Sequence, residues 1–176
     1  MNKIVWSADK DEWATSQDFY DGLNAKYGFT LDPCADATNA KCSKFYTMND
    51  DGLSKDWGGE IVFCNPPYSK VKEWTHKALE ESKKPNTKVV MLVAARTDTK
   101  FFHDYCMKAN EILFVKGRLK FGGSTNSAPF PSMIVVFDSS RFGLMFGQMD
   151  TKGKVSIASS TLQLLKFPLM DVRMKS

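Results

Sequence analysis

The stretch EIVFCNPPYSKVKEW, Glu60 to Trp74, changes character halfway. A continuous apolar run stops at Asn65, Pro66, Pro67 and Tyr68, after which Val71, Trp74 and Ala78 fall at helical spacing. The run Glu60 to Cys64 has the pattern of a strand buried on both faces, as in a parallel sheet. The helix begins at Ser69 and is expected to reach Pro85. A strand, a stiff turn and a helix in succession are half of a β-α-β unit.

The same alternation continues on both sides. Upstream, Thr15 with Asp18 three residues on marks a helix start, Phe19 and Leu23 share its inner face, and Gly28 ends it. FTLD, Phe29 to Asp32, then reads as a short strand, followed by an irregular stretch holding one further short strand at KFY. Downstream, KVVMLVA (Lys88 to Ala94) is the strongest strand in the chain. TDTKFFHDYCMKA is the next helix, capped by Thr97 or Asp98. EILFV (Glu111 to Val115) and MIVVF (Met133 to Phe137) are two more strands, joined by the loop-like KFGGSTNSAPFP. This order predicts one α/β domain over residues 1–176 with a mostly parallel sheet. From about Arg141 the pattern of VSIASSTLQLLKFPL suits strand and helix equally, and the tail reads as an accessory extension.

Composition narrows the function classes. A hydrophobic share of 43% in 176 residues suffices for one substantial core. No stretch approaches the roughly 18 apolar residues of a membrane span, so a soluble, cytoplasmic protein with no membrane partner is expected. Cys34, Cys42, Cys64 and Cys106 form no Cys-x-x-Cys pair and only His76 and His103 offer imidazole, so free thiols and no metal site are expected. Charge is divided unevenly: residues 1–60 hold 6 Lys and Arg against 11 Asp and Glu, whereas residues 61–176 hold 18 against 9. An acidic half and a basic half suit two different ligands, the basic one a polyanion.

In an open α/β sheet, ligands bind beyond the carboxyl ends of the strands. The candidates are therefore Asp32-Pro33-Cys34-Ala35, Asn65-Pro66-Pro67-Tyr68, Arg96-Thr97-Asp98 and Arg118 to Phe121. Pro66 and Pro67 fix φ near −65°, offer no amide hydrogen, and push Asn65 toward extended geometry. The Asn65 side-chain carbonyl and the Pro66 backbone carbonyl can both accept hydrogen bonds from one planar NH2 group. Tyr68 adds an aromatic face against the same plane. An exocyclic amine of a nucleobase fits this bracket. The tetrapeptide would also serve as a plain helix-entry turn, but its place directly after a buried strand favours the ligand reading.

Together, WATSQDFYDGL, FTLDPCADATNAKC, DDGLSKDWGGEIVFCNPPYSKVKEW, LVAARTDTKFFHDY and KGRLKF resemble the phage-type DNA N-6-adenine methyltransferase (Dam) family, from about Trp13 to Phe137 and in the same order. Asn-Pro-Pro-Tyr alone is shared with methyltransferases acting on RNA or on a protein glutamine. The combination carries the resemblance. It implies a compact, single-domain, Rossmann-like fold dependent on S-adenosylmethionine, with a mostly parallel sheet and an antiparallel last strand. It also implies methylation of the 6-amino group of a flipped-out adenine in double-stranded DNA, with a short palindrome such as GATC as target, no metal, and the host cytoplasm as location for a phage-encoded chain. The alternatives are an RNA or protein-glutamine amino methyltransferase and a non-enzymatic nucleic-acid-binding module with a decayed cofactor site.

The resemblance also assigns roles. Asn65, Pro66, Pro67 and Tyr68 would be catalytic. Trp13, Thr15 and Phe19 match the segment against the methionine end of the cofactor, and Asp32, Pro33, Cys34 and Ala35 match the first-strand motif, with Asn65 adjoining the cofactor. Asp50 or Asp51, with Asp51 favoured, would hold its adenosine part. Arg96, Lys100, Arg118 and Lys120 would face DNA, and Phe121 with Gly122-Gly123 would support the displaced base or enter the duplex. Two departures stand out. No Gly-x-Gly follows Asp32, so close cofactor approach is expected to rest on Ala35 and the Cys34 backbone. Only 32 residues separate Asp32 from Asn65, so one strand-helix unit is expected to shrink to the segment around KFYT.

Overall fold

Val89, Met91 and Val93 point to one side of a sheet and Val90, Leu92 and Ala94 to the other, and all six are buried. They belong to β4 (Lys88–Ala94), an inner strand of the computed structural model, which describes residues 14–121 and 127–156. The other strands are β1 (Leu31–Asp32), β2 (Lys44–Phe45), β3 (Ile61–Cys64), β5 (Glu111–Val115), β6 (Ser132–Asp138), β7 (Met145–Met149) and β8 (Val155–Ser156). They form one sheet in the order β2-β1-β3-β4-β6-β5-β7-β8. The helices are α1 (Gln17–Tyr27), α2 (Val71–Glu81) and α3 (Lys100–Asp104).

Leu31, Val62, Cys64 and the odd-numbered residues of β4 pack with Trp74 and Ala78 of α2 and Phe101 and Phe102 of α3. On the opposite face Phe63 and the even-numbered residues of β4 pack with Phe19, Tyr20 and Leu23 of α1 and with Leu119, Phe121, Ala128 and Phe130. Burial on both sides explains the uninterrupted apolar runs of β4 and β6. Where the faces meet solvent, Glu111 is anchored by Lys26 Nζ at 2.9 Å and by the Tyr27 hydroxyl, which donates at 3.1 Å, tying α1 to the start of β5.

The sheet is mixed. β1 pairs in parallel with β2 and β3, and β3 with β4, but β6 runs antiparallel to both β4 and β5. β7 is then parallel to β5, and β8 antiparallel to β7. The expectation of a mostly parallel sheet closed by an antiparallel last strand is corrected accordingly: the antiparallel β6 lies inside the sheet, and two strands follow it. Both come from the ambiguous tail, so residues 145–156 extend the sheet itself. Their apolar signal is weak because Met145 and Phe146 are exposed.

Three helix boundaries also differ from expectation. α1 is capped by Ser16 rather than Thr15, because Thr15 forms an antiparallel bridge with Phe121. α2 stops at Glu81, short of Pro85. α3 starts after Thr99, two residues past Thr97, and lasts 5 residues.

The β7–β8 turn lies directly on α1. A Cβ on Gly22 would stand 1.9 Å from the Lys152 carbonyl oxygen, and Gly153 lies in the left-handed region at φ 76°, where its Cβ would meet the Phe19 carbonyl oxygen at 2.8 Å. Helix propensity alone favours Ala over Gly by up to about 1 kcal/mol. Overpacking of this backbone contact costs more, so Gly22→Ala is expected to lower stability by about 1–3 kcal/mol in chemical denaturation. An unchanged or raised midpoint would show that turn and helix are not in contact.

Candidate active site

Moving outward from β3, the chain order reverses: β1 and β2 lie on one side and β4 on the other, so β1 and β3 flank a topological switch point. Such a point opens a crevice beyond the carboxyl ends of the strands. A cavity of about 750 Å³ lies there, lined by Asp32 to Asp36 after β1 and by Asn65, Pro66 and Pro67 after β3. Thr15, Asp51, Gly52, Leu53 and Trp74 complete much of its wall.

Asp32 is 3% exposed and receives hydrogen bonds from the backbone N–H of Lys41 at 3.1 Å and of Cys34 at 3.4 Å. Burial pushes its carboxyl up to about 6, against these two donors and the Lys41 charge, which pull it down. The Lys41 ammonium itself donates to Gln17 Oε1 at 3.0 Å, so no side-chain cation bonds Asp32 among the described residues. The Asn65 amide nitrogen donates to Thr15 Oγ1 at 3.1 Å. The residue expected to cap α1 thus orients the bracket asparagine.

Asp50 and Asp51 separate cleanly. Asp50 accepts from the Thr47 N–H at 2.8 Å and hydroxyl at 2.6 Å, closing a capping box, and does not line the cavity. Asp51 does line it, at φ 52°. The wall beside it depends on a glycine: a Cβ on Gly52 would meet the Pro33 carbonyl oxygen at 2.0 Å. The Gly52 carbonyl accepts from Trp57 Nε1 at 3.0 Å, and the Trp57 N–H donates to the buried Glu81 carboxylate at 2.8 Å. Trp57 stacks on Trp74 at 6.0 Å between centroids. Cys34 and Ala35, where close cofactor approach is expected in place of a Gly-x-Gly, both line the cavity, and Gly52 lets the chain after Asp51 pack directly on the Pro33 backbone. The expected shortening before β3 is also present: β2 has 2 residues, and only a single helical turn, Met48–Asp50, separates it from β3.

Tyr68 begins a turn, Tyr68–Lys70, that leads into α2, and its half-buried ring meets Phe130 edge-to-face at 4.8 Å. That geometry leaves at least one ring face uncovered by Phe130. Burial raises its phenol above the usual range, while the nearby Arg96 charge acts against the rise. Tyr68 is not among the residues lining the cavity, whereas Pro67, Ser69 and Lys70 on either side of it are.

Lys100, Arg118 and Lys120 are exposed beyond the carboxyl ends of β4 and β5, as is Arg96. Phe121 is 3% exposed and packs with Phe130 at 6.4 Å between centroids. The ring is thus part of the core cluster on the α1 face of the sheet. Phe19 is wholly buried in the core beneath α1, away from the cavity wall. Trp13 and Gly122-Gly123 lie outside the described residues. Sequence reasoning missed Asp36, Asn39, Lys41, Met48 and Trp74 as cavity residues. The Thr47-x-x-Asp50 spacing, a capping signal, was there to separate Asp50 from Asp51. The four thiols are unbridged, and the described residues hold no group of three His, Cys, Asp or Glu placed for a metal.

Comparison with known proteins identifies the family. The family model "DNA N-6-adenine-methyltransferase (Dam)" matches residues 4–155. A DNA N-6-adenine-methyltransferase of Haemophilus phage HP1 is 34% identical over 140 residues, covering 74% of this chain and 80% of that protein. One of Escherichia phage T1 is 32% identical over 114 residues, covering 64% of this chain but 48% of that longer protein. With the family model spanning most of the chain and a relative 34% identical over 74% of it, this chain belongs to the DNA N-6-adenine-methyltransferase (Dam) family.

Proposed function

We propose that this enzyme transfers a methyl group from S-adenosylmethionine to the 6-amino group of an adenine flipped out of double-stranded DNA, within a short site such as GATC. One observation carries the reading. A buried carboxylate with no side-chain cation bonded to it among the described residues and an oriented asparagine face one cavity of nucleoside size at a switch point.

The cavity residues fit the cofactor. Asp32 suits its ammonium, Asp51 its ribose hydroxyls or adenine amine, and Leu53, Met48 and Trp74 offer apolar surface to a purine. When bound, S-adenosylmethionine supplies an electrophilic methyl on a sulfonium. The Asn65 side-chain carbonyl and the Pro66 carbonyl accept from the target amine and aim its nitrogen at that methyl, so positioning is the main contribution. Base flipping costs a few kcal/mol. Tyr68 returns part of that by stacking, worth about 1–3 kcal/mol.

Methylation of plasmid DNA by the full chain, followed by cleavage with methylation-sensitive enzymes and mapping of modified adenines, tests the reading. Labelling of RNA or protein instead of DNA would overturn it. Asn65→Ala is expected to lower turnover at least about 100-fold while cofactor binding by calorimetry stays within a few-fold. Near-normal methylation by that variant would remove Asn65 from the chemistry.

Asp32 adds a pH signature. Its folded pKa of about 6 lies above the unfolded value, so in the free protein its contribution to stability is lost as pH rises through about 4 to 6. Pairing with an ammonium reverses that cost. Cofactor affinity is therefore expected to rise with pH through about 6, and Asp32→Asn to weaken binding about 10- to 100-fold and flatten the profile. A wild-type affinity independent of pH from 5 to 7.5 would detach Asp32 from the cofactor.

A further inference from the structure

The ion pairs among the described residues are not spread evenly. They lie along α2, as in Lys77–Glu81 and Lys83–Glu80, or at the amino ends of the parallel strands, as in Lys26–Glu111 and Lys88–Asp138. Exposed lysines outside any ion pair among the described residues occur elsewhere, as at Lys72 and Lys108, but beyond the carboxyl ends of β5 and β7 they gather. Lys116, Arg118, Lys120, Lys152 and Lys154 are all exposed, and none pairs with a carboxylate among the described residues.

These five residues form one surface. The Lys116 N–H donates to the Met149 carbonyl at 2.8 Å, and a Cβ on Gly117 would stand 3.5 Å from Thr151 Cγ2, so the loop after β5 lies beside the β7–β8 turn. The carboxylate within the turn, Asp150, is occupied by the backbone N–H groups of Lys152 and Lys154 at 2.9 and 3.0 Å. It shapes the turn while both lysine side chains project to solvent. Contact of Gly22 and Gly153 holds the turn on α1, and α1 follows directly from Thr15, which touches Asn65. The cations are thus fixed relative to the catalytic bracket. Thr15 bridges Phe121 as well, so the segment from Lys116 to Phe121 runs from the turn to the site.

Resting on the DNA reading above, we propose that Lys116, Lys152 and Lys154 form a second backbone-binding limb, which takes phosphates of the substrate duplex beyond the Arg118–Lys120 segment. Unpaired exposed lysines suit phosphates, whose contacts position the duplex and release counterions without selecting sequence. A solvated lysine face would satisfy the charges alone, but not a turn locked by two glycines against the helix that leads to the bracket.

The test is binding of a fluorescent adenine-containing duplex at several salt concentrations. Wild type, Lys152→Ala/Lys154→Ala, the triple variant with Lys116→Ala, and a Lys83→Ala control from the turn after α2 are compared. Each lost phosphate contact is expected to flatten the log–log salt slope by about 0.9, and the triple variant to bind about tenfold or more weakly near physiological salt. KM for duplex rises correspondingly, S-adenosylmethionine affinity by calorimetry is unchanged, arginine at the three positions restores the slope, and the Lys83→Ala control keeps the wild-type slope. A triple variant with the wild-type slope and affinity overturns the limb while plasmid methylation by wild type upholds the DNA reading. A slope change matched by Lys83→Ala reduces the effect to net charge and also overturns it. A wild-type chain that neither binds nor methylates duplex overturns both.

Discussion

The lateral pairing of β1 with β3 is the constraint on which the rest depends. Leu31 lies opposite Val62, and this register brings Asp32 and Asn65 to the same edge of the sheet. β1 has only 2 residues and would not hold that register alone. Thr30 supplements it: its N–H donates to the Ile61 carbonyl at 2.8 Å, and its hydroxyl accepts from the Ile61 N–H at 2.9 Å. Slipping a strand by one residue would turn every side chain to the opposite face. Asp32 would then leave the crevice.

Around that pairing the chain builds its cavity economically. No long strand-helix unit lies between β1 and β3, and the wall such a unit would supply is replaced by a turn pressed against Pro33. Gly52 permits the approach, Trp57 holds the Gly52 carbonyl, and Glu81 holds Trp57. Glu81 is itself neutralised by Lys77 and Lys84 at 2.6 Å each, so a buried acid serves as a fixed post at little electrostatic cost. The Asp51–Leu53 side of the cavity is therefore supported from α2, the same helix whose entry turn carries the bracket.

How legible this was depends on what each residue's signal had to compete with. β4 and β5 follow their apolar runs from first residue to last, because solvent reaches neither face over most of their length. β7 was illegible because Met145, Phe146 and Gln148 are exposed around Gly147, which gives no alternation. Thr15 shows the opposite failure: a threonine before a helix looks the same whether it caps the helix or receives an asparagine from 50 residues away. Trp74 reads as core and is core, at 7% exposed, yet it also lines the cavity. The Asn-Pro-Pro-Tyr turn was legible because two prolines after a buried strand leave few conformations. That the Tyr68 ring packs on Phe130 was not, since that partner lies more than sixty residues further on.

The uneven charge of the two halves acquires a physical meaning in the folded chain. In the acidic half the informative charge is a single buried one: Asp32 loses solvation in the free protein, so a ligand cation placed against it gains far more than it would at the surface. In the basic half the informative charges are many and exposed, individually weak and screened by salt, and strong only as a set following a line of phosphates. The first arrangement suits a small ligand by depth, the second a long one by extent. Both sit at the carboxyl ends of the parallel strands, so the edge that places the Asp32 cavity also places the exposed cations. The antiparallel β6 contributes by default, since its carboxyl end, with Asp138 bound to Lys88 at 3.2 Å, lies at the opposite edge and keeps that carboxylate away from the basic surface.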